Sequence, residues 1–297
     1  MISGKNISKK PKYKVEGLVT YLILIITSIG FLFPVIYMLG NSFMSSQEVA
    51  RAYSVISSNG LKGTMLVKIN FKLIPDSVTL IQYYTALLRE SKFLIMFWNS
   101  VILTLPIMLG QIFVATFAAY AFSKLKFPFS NKIFYLYVIV MMMPFQVTLV
   151  PNYIILKKLG LLGSYSAVIL PGIFATFGVF LLRQFMLSIP DEYCEAAKID
   201  GAGYFMTLTK IILPQCKGAV ASLAILVFID NWNMVEQPLI FLKDQNMYPL
   251  SIFLSGINND DIGIAFACGV IYMIPTLLIF LYGENYFIEG IELSGIK

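Results

Sequence analysis

Six long apolar runs, separated by more polar stretches, organise this chain: 17–40, 93–123, 133–156, 159–182, 218–235 and 262–283. Each reaches or approaches the roughly 20 helical residues needed to cross about 30 Å of hydrocarbon. The period-two alternation of a barrel is absent, so the pattern predicts an all-α integral membrane protein with six transmembrane helices. The second run would be about 45 Å long as a helix, longer than the bilayer core, and must tilt, kink near Pro106 or start above the membrane. Pro144, Pro151, Pro171 and Pro275 interrupt other runs or their ends, where freed carbonyls need protein or water partners. Between the first two runs, Leu80, Tyr83, Tyr84, Leu87 and Leu88 share one helical face after Pro75-Asp76-Ser77, a helix-start pattern. That amphipathic segment is expected to lie on the outer membrane surface or against neighbouring spans.

Composition sharpens the picture. With 58% hydrophobic and 13% charged residues and a mean hydropathy of +0.78, a soluble fold would have too few polar residues to cover its surface. The first run follows Lys5, Lys9, Lys10, Lys12 and Lys14, as a signal peptide would, but it is too long for an h-region and no small-x-small site follows near Asn41. A retained span is expected, with both termini cytoplasmic. The net charge of +6 then reads as membrane-flanking lysine and not as a nucleic-acid surface. Three cysteines make no disulfide framework, and Cys194 and Cys216 fall on the side where thiols stay reduced. The absence of histidine removes imidazole metal ligands and proton relays. The expected organisation is a tail at 1–16, the first span at 17–40, an extracytoplasmic loop at 41–92, a core at 93–285 that contains a loop at 186–217, and a tail at 286–297.

That loop lies between strongly apolar segments and carries a distinctive spacing. Glu195-Ala196-Ala197 is followed after three residues by Gly201, after nine more by Ile211, and then by Leu213-Pro214, an arrangement met by chance at roughly one in 10⁵. Ser188-Ile189-Pro190-Asp191 has the form of a helix N-terminus, with Ser188 as N-cap and Asp191 reaching back. The helix would present Tyr193, Ala196, Ala197 and Asp200 on adjacent faces, its two alanines allowing close approach by another protein. Gly201 and Gly203 permit positive φ and would end it in a sharp turn. A second short helix through Tyr204, Leu208, Ile211 and Ile212 returns the chain to Pro214, giving a helix-turn-helix knob shaped for docking.

These residues resemble the cytoplasmic coupling loop of ABC-importer permeases, and the chain is similar over nearly its whole length to carbohydrate permeases of the maltose-permease type. The likeness rests on Ile189-Pro190-Asp191-Glu192 with Glu195 to Ala202, Asn99-Ser100, Ala118 to Phe122, Met143-Pro144-Phe145-Gln146, Leu159 to Leu162, Trp232-Asn233 and Pro238-Leu239-Ile240. Cys194 and Met234-Val235 depart from it, the second pair leaving the substrate open. The resemblance implies a type I ABC-importer fold in a bacterial cell membrane, and a second permease subunit that shares the translocation path. It also implies two ABC ATPase subunits that carry ATP and Mg, and an extracytoplasmic binding protein that delivers a sugar. Tyr193, Glu195, Ala196, Ala197, Asp200 and Gly201 would then couple to the ATPase. No Gly-x4-Gly-Lys-Ser/Thr phosphate loop is present, so this chain is expected to be a transport subunit and not an enzyme, with no cofactor of its own. Leu293-Ser294-Gly295 opens like an ABC signature motif but reads better as a tail reaching the ATPase, with Ser294 and Gly295 as contacts.

A sugar needs amide or hydroxyl partners and an aromatic surface. Asn231, Trp232 and Asn233 supply these at the outer end of the fifth run, with Asn99 and Gln146 as weaker candidates; a tryptophan there is more often an interfacial belt anchor. Asp230, Glu236 and Glu284 lie near span ends, where snorkelling to water accounts for them. An importer of another solute such as glycerol phosphate stays open. An ion-coupled secondary transporter would need mid-membrane ionisable groups and repeated halves, neither of which is evident.

Overall fold

The computed structural model describes residues 13–58, 72–89, 91–255 and 262–295. Among these every regular element is helical, as expected where backbone in lipid must satisfy its own hydrogen bonds. In chain order the principal helices are α1 (Tyr13–Ser42), α2 (Ser46–Ser58), α3 (Ser91–Lys124), α4 (Ser130–Met141), α5 (Phe145–Lys158) and α6 (Ser166–Ile173). They continue with α7 (Thr176–Ser188), α8 (Glu192–Ile199), α9 (Lys217–Trp232), α10 (Glu236–Phe241), α11 (Leu250–Ser255) and α12 (Ile262–Gly295). Four stretches are long and apolar enough to cross a membrane as they stand: Leu18–Ser42, Lys92–Lys124, Ser166–Ser188 and Ile262–Glu284. The number rises to six if α4 with α5, and Tyr204–Gln215 with α9, each make one span.

The third run is therefore bent at the proline that interrupts it, where hydropathy alone shows one continuous apolar stretch. Between α4 and α5 the chain turns by 102° at Met142-Met143-Pro144, because proline lacks an N–H for the ladder and pushes the residue before it out of the α region. The fifth run forms α9, and the chain turns by 79° at Cys216 just before it, between Tyr204–Gln215 and α9. The fourth begins at Ser166 and not at 159, since Gly160, at φ +70°, terminates α5. Pro106 is accommodated inside α3, which runs unbroken for 34 residues.

The chain divides into two units. The first holds α1, α2 and α12 up to Val270. From Leu18 to Leu39 α1 is mostly exposed apolar surface, as a lipid-facing helix requires. Its end is anchored by buried Asn41, whose amide donates to the carbonyls of Tyr37 (2.8 Å) and Lys72 (3.3 Å) and accepts from the Tyr53 hydroxyl at 3.0 Å. A Cβ on Gly40 would overlap the Leu73 carbonyl, so only glycine lets residues 72–74 approach α1 there. Glu48 accepts from Lys72 and from the Asp76 N–H, each at 2.8 Å. The predicted amphipathic segment starts at Ile81 as a single α-turn, Ile81–Tyr84. Leu80, Tyr84 and Leu88 are exposed, while Gln82 and Ala86 are buried, Gln82 near the Met44 carbonyl and the Ser46 hydroxyl.

In the second unit α3 is the central helix, packed against α6, α7 and α9. Leu103, Ile107, Gln111, Ala115 and Ala119 form a buried stripe with a four-residue repeat, the ridge that interlocks with a facing helix. Small residues let these helices close up: a Cβ on Gly172 would press within 2.9 Å of Ile107. The core continues through Val179, Leu182 and Met186 of α7 to Ala219, Leu223 and Val227 of α9.

Candidate functional site

The predicted knob is present, but its root differs from expectation. Ser188 is the last residue of α7, its hydroxyl donating to the Phe185 carbonyl at 2.7 Å. Ile189 is extended (φ −78°, ψ 125°), because the residue before a proline disfavours the α region. The next helix begins beyond Pro190, and Asp191, not Ser188, is the N-cap of α8. The Asp191 side chain makes no cap bond; it is engaged instead by Lys124, the last residue of α3, at 2.7 Å. The same ammonium donates to the Ile189 carbonyl. The Lys124 side chain is 2% exposed and that of Asp191 71%, so a buried cation pins both backbone and side chain at the knob's root. The hydrogen bond from Lys124 and its charge hold the Asp191 carboxyl below the usual carboxylate range.

The far end of α8 closes as a Schellman motif. Gly201 sits at φ +80°, the Ala202 N–H donates to the Ala197 carbonyl at 2.9 Å, and the Gly201 N–H to the Lys198 carbonyl at 3.1 Å. Gly203 does not share this role: at φ −74° it is extended and opens the Tyr204–Thr207 turn. Cys194 and Ala197 on α8, with Leu208, Ile212 and Cys216 on the return, are buried, and all but Ala197 join the core that holds Tyr120 and Met186. Burial raises the Cys194 thiol above its usual pKa. The two alanines therefore do not share an open face, since Ala197 points inward and Ala196 outward. Tyr193, Glu195, Ala196, Asp200 and Gly201 are exposed around Ile199, an apolar side chain 86% exposed. Lys198 lies 6.0 Å from the Tyr204 ring centre.

A second feature is a cavity of about 780 Å³ among α4–α5, α6–α7, α9 and α10. Its polar lining includes Gln111, Asn152, Thr176, Asp230, Asn231 and Gln237, with Phe174 and Phe177 among the apolar walls. Among the described residues one carboxylate and no lysine or arginine lines it.

Residues 84–286 match the family described as "Binding-protein-dependent transport system inner membrane component". The chain belongs to that family. It is 30% identical to the arabinooligosaccharides transport system permease protein of Bacillus subtilis over 292 residues, covering 97% of this chain and 98% of the relative. It is 28% identical over 282 residues to the sn-glycerol-3-phosphate transport system permease protein of Brucella abortus, covering 93% and 96%. In fold it resembles a bacterial ABC transporter involved in the import of the acidic polysaccharide alginate, with a TM-score of 0.76 at 21% identity over 94% of this chain and 100% of that one. The protein is thus a multi-pass inner-membrane permease of an ABC importer, and the ion-coupled alternative falls away.

Within the permease, the expected path residues are not brought together. Asn231 lines the cavity, its amide donating to the Val227 carbonyl at 2.8 Å. Trp232 is 1% exposed, stacked on Phe228 and Tyr272 and donating to the Tyr272 carbonyl at 3.1 Å. It offers neither an open ring face nor an interfacial anchor. Asn99 is buried and saturated, donating to the Asn246 (2.6 Å) and Tyr248 (3.0 Å) carbonyls and accepting from the Tyr165 hydroxyl at 2.8 Å. Asn233 accepts from the Tyr272 hydroxyl at 2.8 Å, and Gln146 donates to Glu236 at 3.3 Å. Ser294 and Gly295 end α12, whose helical backbone runs on to Gly295; Ile296 and Lys297 lie outside the described residues. Sequence reasoning overlooked Lys124, Ile199, Gln111 and Asn152. Gln111 and Asn152 could have been found as amides inside apolar runs, and Lys124 as the one basic residue at the end of the second.

Proposed function

We propose that this permease forms one half of a path for a neutral sugar or oligosaccharide, moved into the cell at the cost of ATP bound, with Mg, on two partner ATPase subunits. A second permease subunit supplies the other half of the path and an extracytoplasmic binding protein delivers the solute. Both termini are cytoplasmic in this reading, and the chain performs no catalysis and holds no cofactor. The exposed side of the knob, Tyr193, Glu195, Ala196, Ile199 and Asp200, docks on an ATPase, with Gly201 fixing its shape; Ser294 and Gly295 lie on a tail that reaches the same pair.

The observation that carries the substrate class is the cavity lining. Amides and hydroxyls beside Phe174 and Phe177 match the hydroxyls and apolar ring faces of a sugar. With Asp230 present and no cation to balance a phosphate, the lining disfavours glycerol phosphate, because a desolvated anion beside a carboxylate is repelled. Asn231 acts in the path, with Asn233 and Gln146 at its edge, whereas Trp232 and Asn99 hold its walls in place.

The test is uptake by the complex reconstituted with binding protein. Transport of a neutral oligosaccharide should require ATP, persist when the proton gradient is collapsed, and fall in Asn231→Ala and Gln237→Ala more than basal ATP hydrolysis does. Uptake by this chain alone in ATP-free liposomes, driven by a pH or sodium gradient, would overturn the proposal.

A further inference from the structure

At the knob end of the second unit a separate cleft of about 520 Å³ opens between the last turn of α3, the first turn of α4 and the last turns of α7. Two of its lining residues are cationic, Lys126 and Arg183, and none is acidic. Arg183 is held in a fixed pose: its guanidinium lies 3.8 Å from the centre of the Phe134 ring, and its Nε donates to the Phe122 carbonyl at 3.2 Å. Stacking and the Nε bond leave its Nη edge for another acceptor. Among the described residues neither Lys126 nor Arg183 has a carboxylate at ion-pair distance, Asp191 feeling the Lys126 charge only from farther off. Lys124, at the end of α3, is already committed to Ile189 and Asp191.

A half-buried guanidinium without a carboxylate, at the end of membrane-spanning helices, calls for an anion from outside the chain. The walls show which kind. Phe122, Phe127 and Leu187 give the cleft an apolar side, while Ser130 and Asn131 add polar groups at the mouth of α4. An inorganic ion would gain nothing from the apolar side; a phosphodiester attached to glycerol and acyl chains would use both. Basic clefts between spanning helices are sites for anionic headgroups. We infer that this cleft binds the phosphate headgroup of an anionic membrane phospholipid, which lies beside the root of the knob and supplies the countercharge for Arg183 and Lys126.

The assay is native mass spectrometry of the purified permease complex in nanodiscs of phosphatidylcholine with or without phosphatidylglycerol. The wild type should retain phosphatidylglycerol, Lys126→Gln should hold it roughly fivefold more weakly, and Arg183→Gln more weakly still. Because Arg183→Gln also removes packing on Phe134, Arg183→Lys and the exposed Lys126→Gln keep the test independent of folding; Lys158→Gln, at the end of α5, should change nothing. Equal retention in wild type and Lys126→Gln, or displacement of the lipid by millimolar inorganic phosphate, overturns the assignment. Loss of the ATPase without loss of lipid would give the cleft to a protein carboxylate and overturn it as well.

Discussion

Gly201 offers the sharpest test of how the knob holds its shape. Its φ of +80° lies in the left-handed region, and a Cβ added there would meet nothing within 4 Å. The whole cost of a side chain is therefore conformational: roughly 1–2 kcal/mol for a residue that must adopt αL, less for asparagine, most for a β-branched residue. A penalty of that size depopulates the Schellman closure by roughly 5- to 30-fold relative to alternative turns. An ATPase that binds only the native turn then sees its apparent affinity fall with the native fraction. The measurement is a titration of ATPase against the permease in nanodiscs, together with hydrogen exchange at the Ala202 amide, whose bond to Ala197 reports the turn directly. Affinity should fall in the order Gly201, Gly201→Asn, Gly201→Ala, Gly201→Val. If steric intrusion into the docked partner were the cause, asparagine, larger than alanine, would be worse than alanine. That reversed order, or a valine variant indistinguishable from wild type, would refute the reasoning.

Lys124→Met should loosen the knob's root by about 1–3 kcal/mol, chiefly through the orphaned Ile189 carbonyl, whereas Asp191→Asn should cost within about 1 kcal/mol because that carboxylate is exposed and screened; proteolysis of the 186–217 loop measures both. Since the Asp191 pKa is lowered by Lys124, its contribution is complete above the ordinary carboxylate pKa and is lost as pH falls through the lowered value. Loop protection should thus stay level near neutrality and drop on acidification, and Asp191→Asn should flatten that drop. Trp232→Ala should cost about 3–5 kcal/mol of stability as a core truncation, lowering the yield of folded permease along with transport; normal yield with selective loss of uptake would return Trp232 to the path. An impermeant thiol reagent on intact cells should leave Cys194 unmodified. After permeabilisation Cys194 should react slowly, its thiol pKa being raised by burial, and an Ala196→Cys variant quickly; labelling of Ala196→Cys before permeabilisation would invert the topology.

The knob was legible in the sequence because it is local: a spaced Glu-Ala-Ala…Gly pattern and a proline that bars the α region before it act over a few residues. Its fastening was not. The bond from Lys124 to Ile189 and Asp191 spans more than 60 positions, and nothing in the loop's own sequence names its partner. Hydropathy placed the apolar runs but not their bends, since Pro144 can as well kink a span as break it, and a window average does not see direction. Chemical type alone does not show that Trp232 and Asn99 are buried with their donors engaged. A tryptophan and an amide suit a sugar and suit a core equally, and what separates them is whether carbonyls such as those of Tyr272, Asn246 and Tyr248 have already taken up their donors.

Helix α3 is fastened at both ends. Near its start Asn99 grips two carbonyls of the 246–248 segment and the Ser100 hydroxyl accepts from the Leu250 N–H at 2.8 Å; at its finish Lys124 grips the knob. The helix is unbroken over its 34 residues, and the roughly 25 residues from Asn99 to Lys124 span about 38 Å, so pivoting by about 1° at one fastening displaces the other by about 0.7 Å. Force applied to the knob has a stiff lever to travel along, and the segment around Tyr248 sits at its other arm. A rotation of about a degree is enough to lengthen or shorten the hydrogen bonds at the opposite end by several tenths of an ångström.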